Sequence, residues 1–385
     1  MIKTFSPDLG KMVNLTTLVF SGCKLQALPP EIGQMRGLTH LDVSSNELTK
    51  LPPDLGRLVQ LVHLDVGNNK LTLLPAELID LVNLKLLSIR DNAGLRELPP
   101  FGNFRVLESL RMRNVGKVSA VPPDLFTLKS LTELDLRENP QFVDLPSQIG
   151  ELTNLELLDL YGNGFKTVPA TIGKLSKLRT LDLRNNALSS ENIPPQLGRC
   201  EALEKLLLSQ NVLTTIPLEV TDLKLKARRP LSSPRPWRPA DSSSFSPQEL
   251  DLANNVLTSV GAEVGNLKSI QRLDISGNKL LSLPSEIGQC SELRVLQLKT
   301  NELSTLPAEL GRCLLLEKLD LAHNMITQLP VEMGQLTRLK LLDLEYNSLI
   351  FPPRKKIAEG TDAILLFLRQ MQADRDKNGP KSPRK

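Results

Sequence analysis

Leucines recur along this chain in the spacing LxxLxL, and the spacing itself repeats. Residues 270–284 read IQRLDISGNKLLSLP, residues 293–307 read LRVLQLKTNELSTLP, and residues 316–330 read LEKLDLAHNMITQLP. Alternation within each LxL predicts a short strand with leucines facing inward and the intervening residue on the opposite face. An asparagine follows each strand. Asn278, Asn301, Asn324 and Asn347 fall 23 residues apart, as do Asn46, Asn69 and Asn92, and Asn139, Asn163, Asn186, Asn211 and Asn255 continue the series with slips. An amide side chain there can satisfy backbone groups where strand pairing has ended. The LPxxIGxL stretch that comes next predicts a short helical or 3₁₀ return, with proline at its start where no sheet hydrogen bond is lost.

A unit of this length carrying LxxLxLxxNxL is the leucine-rich repeat pattern. Its strands begin at Leu15, Leu38, Leu61, Leu84, Leu107, Leu131, Leu155, Leu178, Leu203, Pro247, Ile270, Leu293, Leu316 and Leu339. The expected fold is therefore an α/β leucine-rich repeat solenoid of about 14 repeats. It is a curved arc with a parallel sheet on the concave side and short helical or 3₁₀ segments on the convex side. Because a solenoid lengthens without a second core, 385 residues need not form several globular domains. The predicted boundaries are a partial, truncated N-terminal repeat at 1–14, repeats 1–9 at 15–225 and a disordered insert at 226–247. Repeats 10–14 follow at 248–351, then a capping helix at 352–373 and a disordered basic tail at 374–385.

Departures from the repeat are as informative as the repeat. Repeat 4 has an extra residue (NAGLREL) and a short return (LPPFGNF), and repeat 5 carries Val115 where the asparagine belongs. Structural drift and local reshaping for a partner both account for these. Between Asn211 and Asn255 lies KARRPLSSPRPWRPADSSSFSP, rich in Pro, Ser and Arg, a composition that cannot bury enough surface to order itself. Removing 226–247 joins Leu225 to Gln248 and restores the strand LQELDLANN. A retained intron and a regulatory loop both fit; the loop would offer Ser232 after Arg228-Arg229, and the proline-directed Ser233 and Ser246, as phosphorylation sites. At the C-terminal end, Thr361 starts a helical pattern with Ile364, Phe367, Leu368 and Met371 on one face.

Charge changes the picture less than the net value of +4 suggests. Lys226, Arg228, Arg229, Arg235 and Arg238 against Asp241 supply all of it in the insert, and the C-terminal tail is basic as well. The repeats are left slightly acidic, with no electrostatic reason to expect nucleic acid. Aromatics are 3% of residues, in keeping with a core of stacked leucine rows. Cys200, Cys290 and Cys313 share one repeat position and Cys23 takes an asparagine position, which reads as four reduced thiols rather than a disulfide framework. The first residues, MIKTFSPDLGKM, contain no apolar secretory segment, and no run of about 20 apolar residues could span a bilayer. The expected location is cytoplasmic, with nuclear access open.

Taken with the cap, these repeats resemble intracellular leucine-rich repeat proteins of the Ras-group or Shoc-2/Ras-suppressor type. The cap residues that carry the likeness are Arg354 to Ile357, Gly360-Thr361 and Ile364-Leu365-Leu366-Phe367-Leu368. The resemblance implies a non-enzymatic scaffold or adaptor in signalling, and its members' particular partners do not carry over. The chain itself is expected to be a monomer with a protein partner that is acidic or a small-GTPase signalling component. A regulatory subunit of a phosphatase or ubiquitin ligase is a second reading, and a fragment of a larger repeat-bearing kinase or GTPase a third.

The concave positions follow from register. Nine repeats place aspartate between the two strand leucines: Asp42, Asp65, Asp135, Asp159, Asp182, Asp251, Asp274, Asp320 and Asp343. Two positions further on, repeats 4–8 carry Arg90, Arg113, Arg137, Tyr161 and Arg184, and repeat 5 has Arg111 at the aspartate position. Arginine and tyrosine are favoured anchors at protein interfaces, so these six residues are the candidate protein-binding site. A competing reading has Arg137 and Arg184 merely neutralising Asp135 and Asp182. His40 and His63 share one register beside Asp42 and Asp65, and an open sheet position reads as consensus surface, so no metal site is expected. No phosphate loop, HExxH, CxxC pair, kinase motif or nucleophile elbow occurs; no catalytic residue and no cofactor is predicted.

Overall fold

The computed structural model describes residues 6–217 and 247–378. It comprises two compact units, Met1–Ala187 with Arg199–Ala202, and Leu188–Gly198 with Leu203–Lys385. In the first unit the strands are β1 (Thr17–Val19), β2 (His40–Asp42), β3 (His63–Asp65), β4 (Leu86–Ser88), β5 (Ser109–Arg111), β6 (Glu133–Asp135), β7 (Leu157–Asp159) and β8 (Thr180–Asp182). The second unit has β9 (Lys205–Leu207), β10 (Glu249–Asp251), β11 (Arg272–Asp274), β12 (Val295–Gln297), β13 (Lys318–Asp320) and β14 (Leu341–Asp343). Within each unit every strand pairs in parallel with the next one in the chain, repeat position against repeat position. Fourteen parallel strands for fourteen repeats is the solenoid that the spacing predicts.

The central strand leucines, such as Leu64, Leu87, Leu134 and Leu296, are fully buried. Most of the asparagines that follow are buried too, and their bonds show why the amide is needed. Asn301 Oδ1 accepts from the Leu280 backbone N–H of the previous repeat at 3.1 Å, while its Nδ2 donates to the Ile275 and Leu298 carbonyls at 3.0 Å. Each such side chain thereby serves backbone groups of two successive turns that no strand reaches. The residue before it is left-handed, with φ of 56° at Ser45, 55° at Asp91 and 56° at Thr300. At Val115 the rung is incomplete: its N–H donates to Asn139 Oδ1 at 2.9 Å, but valine returns no amide. Cys23 likewise gives its N–H to Asn46 Oδ1, while its exposed thiol turns to the Ser21 carbonyl at 3.5 Å.

Convex returns are 3₁₀ turns such as Pro53–Arg57 and Ser285–Gln289. Adjacent turns approach so closely that a Cβ on Gly150 would lie 2.6 Å from the Thr171 carbonyl oxygen, which explains the glycine of IGxL. Repeat 4 dispenses with this turn. No helical segment separates β4 from β5; Phe101 and Phe104 are fully buried there, their rings 6.2 Å apart, and the Phe101 N–H donates to Asp124 at 2.6 Å.

Beyond β14 come α1 (Arg354–Ala358) and α2 (Thr361–Asn378). The second helix runs past residue 373, so the expected boundary lies inside it. Ile364, Leu365 and Leu368 are buried; Leu365 joins the expected face, while Phe367 stacks obliquely on Phe351 at 5.6 Å. Thr361 Oγ1 accepts the Leu342 N–H from β14 at 3.2 Å, Arg369 Nε donates to the Gly334 carbonyl at 3.1 Å, and Arg375 pairs with Glu332. These bonds satisfy the last strand and turn where no further repeat does so. Ser232, Ser233 and Ser246, and the insert apart from Pro247, lie outside the described residues, as do residues 379–385 of the tail.

Candidate protein-binding surface

The nine aspartates have a structural assignment. In every one, Oδ1 accepts the backbone N–H two residues on, at 2.8–3.1 Å. Aspartate closes a local turn that receives the chain as it leaves the strand, so the stripe is part of the repeat's own architecture. Positions where it is interrupted, Ser88 and Arg111 among them, are where the surface departs from that common plan.

All six candidate anchors lie in the first unit, on consecutive strands or in the turns that follow them. None of the arginines stands alone. Arg90 approaches Asp65 at 3.8 Å, and Arg111 Nε lies 3.1 Å from Glu133. Arg113 engages Asp91 at 2.8 Å and approaches Glu138 at 3.7 Å. Arg137 forms a two-point pair with Asp135 at 2.9 and 2.8 Å and touches Asp159 at 3.2 Å, and Arg184 is paired with Asp182. The Arg184 guanidinium also lies over the Tyr161 ring, 5.5 Å from its centroid, within cation–π range. The Arg137 and Arg184 pairs are those of the neutralising reading, and Arg111 and Arg113 have carboxylate partners of their own. Five guanidiniums thus face seven carboxylates, and the surface is a mixed-charge lattice, not a free basic patch.

Register explains what the residue-by-residue reading missed. Glu133 sits opposite Ser109 in the sheet, yet its carboxylate takes both Ser109 Oγ at 2.9 Å and the diagonal Arg111. Asp91 comes from the turn after β4, not from a strand. Asp135, Asp159 and Asp182 are aligned Cα to Cα across β6–β8. Burial, and then the neighbouring Asp182, push the middle carboxyl, Asp159, up to about 6; the Tyr161 N–H and Arg137 oppose that rise. Bonding to Asp135 raises the pKa of Arg137, fixing its charge.

Each anchor side chain exposes between 32% and 42% of its surface where it is an arginine. That is enough to be touched, while the carboxylates hold the guanidinium planes in place. Ser88 Oγ and Arg90 Nε, two residues apart, are buried side-chain polar atoms without a hydrogen-bond partner. Gly67 makes room for Arg90, whose Cγ would lie 2.7 Å from a Cβ there. His40 and His63 stand on β2 and β3, outside this cluster, and Lys85 pairs with Glu108 at 2.8 Å. Among the described residues no group of three or more His, Cys, Asp or Glu side chains converges as a metal site, and no helix is long and apolar enough to cross a membrane.

Known proteins carry the same repeats. The family description "Leucine-rich repeat region" matches residues 92–224, and "Leucine rich repeat" matches 13–71, 36–93, 268–326 and 291–349. A leucine-rich repeat protein of Leptospira interrogans is 32% identical with a TM-score of 0.80, over 93% of this chain and 91% of that one. The internalin InlF of Listeria monocytogenes, at 22% identity and TM-score 0.62 over 88% of this chain and 84% of its own, shares the fold. So does the functional domain of InlJ from the same organism, at 23% and 0.68 over 87% and 64%. Proteins of this fold are typically non-enzymatic binding scaffolds, and leucine-rich repeat domains generally mediate protein–protein interaction. With repeat matches on both sides of the insert and a near full-length likeness at 32% identity, this chain belongs to the leucine-rich repeat family.

Proposed function

We propose that this chain is a non-enzymatic scaffold or adaptor of intracellular signalling that holds a protein partner on the strand-lined face of its first unit, at β4–β8. The carrying observation is the run of half-exposed Arg90, Arg111, Arg113, Arg137 and Arg184, with Tyr161 under Arg184, from five consecutive repeats. Because neighbouring carboxylates already hold these guanidiniums, little side-chain entropy remains to be lost on binding. The mixed charge favours a partner that carries both signs over a uniformly acidic one. A cytoplasmic role and the finer likeness to Shoc-2/Ras-suppressor proteins, and in the cap to leucine-rich repeat-containing protein 40, are parts of the same reading.

Crosslinking followed by affinity capture tests it. The parent is compared with an Arg90→Gln/Arg113→Gln/Tyr161→Ala variant and with an Arg272→Gln/Arg294→Gln control in the second unit. Loss of the captured partners in the first variant alone is expected; an unchanged partner set, with circular dichroism showing an intact fold, refutes the site.

A further inference from the structure

His40 and His63 hold the same position on adjacent strands, paired Cα to Cα. Their rings lie 4.3 Å apart between centroids, at 79° to each other. Thr39 settles the tautomer of the first. Its Oγ1 is 2.9 Å from the Thr16 carbonyl oxygen and 2.8 Å from His40 Nδ1. Two oxygens that close need a proton between them, and a carbonyl only accepts. The single hydroxyl proton therefore points to Thr16, and Nδ1 carries the hydrogen that it donates to Oγ1. In the neutral ring that tautomer leaves Nε2 as the bare nitrogen. A neutral imidazole with Nδ1–H tied to oxygen and Nε2 unprotonated is the form in which histidine ligates a metal.

The spacing fits two ligands on one ion. With a metal–nitrogen distance of about 2.1 Å and the ring centre about 1.2 Å behind the nitrogen, centroids this far apart subtend roughly 80° at a shared metal. With the His40 ring held by Thr39, rotation about the broad χ2 of His63 can aim its nitrogen at that point. An angle near 90° suits neighbouring positions of a square-planar or octahedral ion and is tighter than a tetrahedral site requires.

We propose that His40 and His63 form a two-imidazole site for a divalent transition metal, with Cu(II) or Ni(II) preferred over Zn(II). The pair supplies two ligands, and no third His, Cys, Asp or Glu among the described residues joins them. The remaining coordination positions therefore belong to water or to a donor group of a bound protein. The site lies on β2 and β3 and does not depend on the proposed role of β4–β8.

Cu(II) titrated into the full chain, followed by calorimetry and electron paramagnetic resonance, tests this cleanly because the chain has only three histidines. One equivalent is expected, with hyperfine coupling to two imidazole nitrogens. His40→Gln and His63→Gln should each weaken binding roughly ten- to a hundredfold and remove one nitrogen from the spectrum. Thr39→Val keeps both imidazoles and should still lower affinity, and His323→Gln should change neither readout. Affinity in the His40 and His63 variants within about twofold of the parent, or a spectrum with fewer than two imidazoles in the parent, overturns the proposal. Unchanged affinity in Thr39→Val overturns the tautomer argument on which it stands.

Discussion

Replacing Asp159 with asparagine should stabilise the first unit at neutral pH, even though it removes an ion-pair partner from Arg137. Parallel register sets Asp159 between Asp135 and Asp182, so three carboxylates stand on neighbouring strands at about 4.8 Å spacing. Arg137 already makes a two-point pair with Asp135, and its reach to Asp159 is the longer one, at 3.2 Å. Burial dominates, and the Asp159 carboxyl rises from 3.8 to about 6. A carboxyl raised on folding binds its proton more tightly in the folded state than in the unfolded one. Stability from this group is therefore complete below about pH 4, declines as pH rises through the window between 3.8 and about 6, and is gone above it. At about 1.4 kcal/mol for each tenfold change in proton affinity, the rise corresponds to about 3 kcal/mol against the ionised form. Its side chain keeps some solvent exposure, so a net effect of about 1–2 kcal/mol is the working value.

Asparagine keeps an Oδ1 acceptor for the Tyr161 N–H and has no charge to desolvate. The stability difference between the variant and the parent should be near zero around pH 4, grow in the variant's favour through pH 6, and level off near pH 7.5. Native-state amide exchange read at Leu158 and Leu160 measures this locally, and chemical denaturation followed by circular dichroism measures it globally. A difference that is flat with pH, or a directly titrated Asp159 carboxyl near 4, would refute the account of this lattice.

Asn301→Ala should cost about 2–4 kcal/mol, because the Leu280 N–H and the Ile275 and Leu298 carbonyls lose their partner in a buried turn; denaturant midpoints at matched pH check it. Gly334→Ala would place a Cβ 2.6 Å from the Arg369 backbone nitrogen, so α2 must shift outward. About 1–3 kcal/mol of lost stability is expected, with amide exchange quickened first in α2. Burial raises the thiol pKa to about 12 in Cys200 and Cys290 and about 11 in Cys313, while Cys23 is exposed. Iodoacetamide near pH 7.5 should therefore give a single adduct, at Cys23, in the native protein and four after denaturation, as mass spectrometry would show.

The backbone of this protein was far more legible from sequence than its surface, and the reason lies in what a repeat specifies. Because one spacing sets strand, asparagine and turn together, placing Leu64 and Asn69 also places Leu296 and Asn301, and the buried amide bonds follow. The glycine of IGxL was visible as a pattern but not as a cause, since the close approach of Gly150 to Thr171 belongs to two turns at once. The same register puts the arginines on or just after consecutive strands. Their charge state as a surface is not set by it, because Arg111 reaches diagonally to Glu133 and Arg113 turns back to Asp91, choices made by rotamers that Cα alignment leaves open. The irregular return of repeat 4 illustrates the same limit from the core side. Its extra residue and its phenylalanines were plain in the chain, but only three dimensions show Phe101 and Phe104 fully buried where the neighbouring repeats place a 3₁₀ turn. Packing that replaces a turn accounts for the altered spacing of repeat 4 without calling on a partner. On the opposite face Ser88, wholly buried, and Arg111, half-exposed and held by Glu133, break the aspartate pattern, and only the second has surface for the partner proposed above to touch.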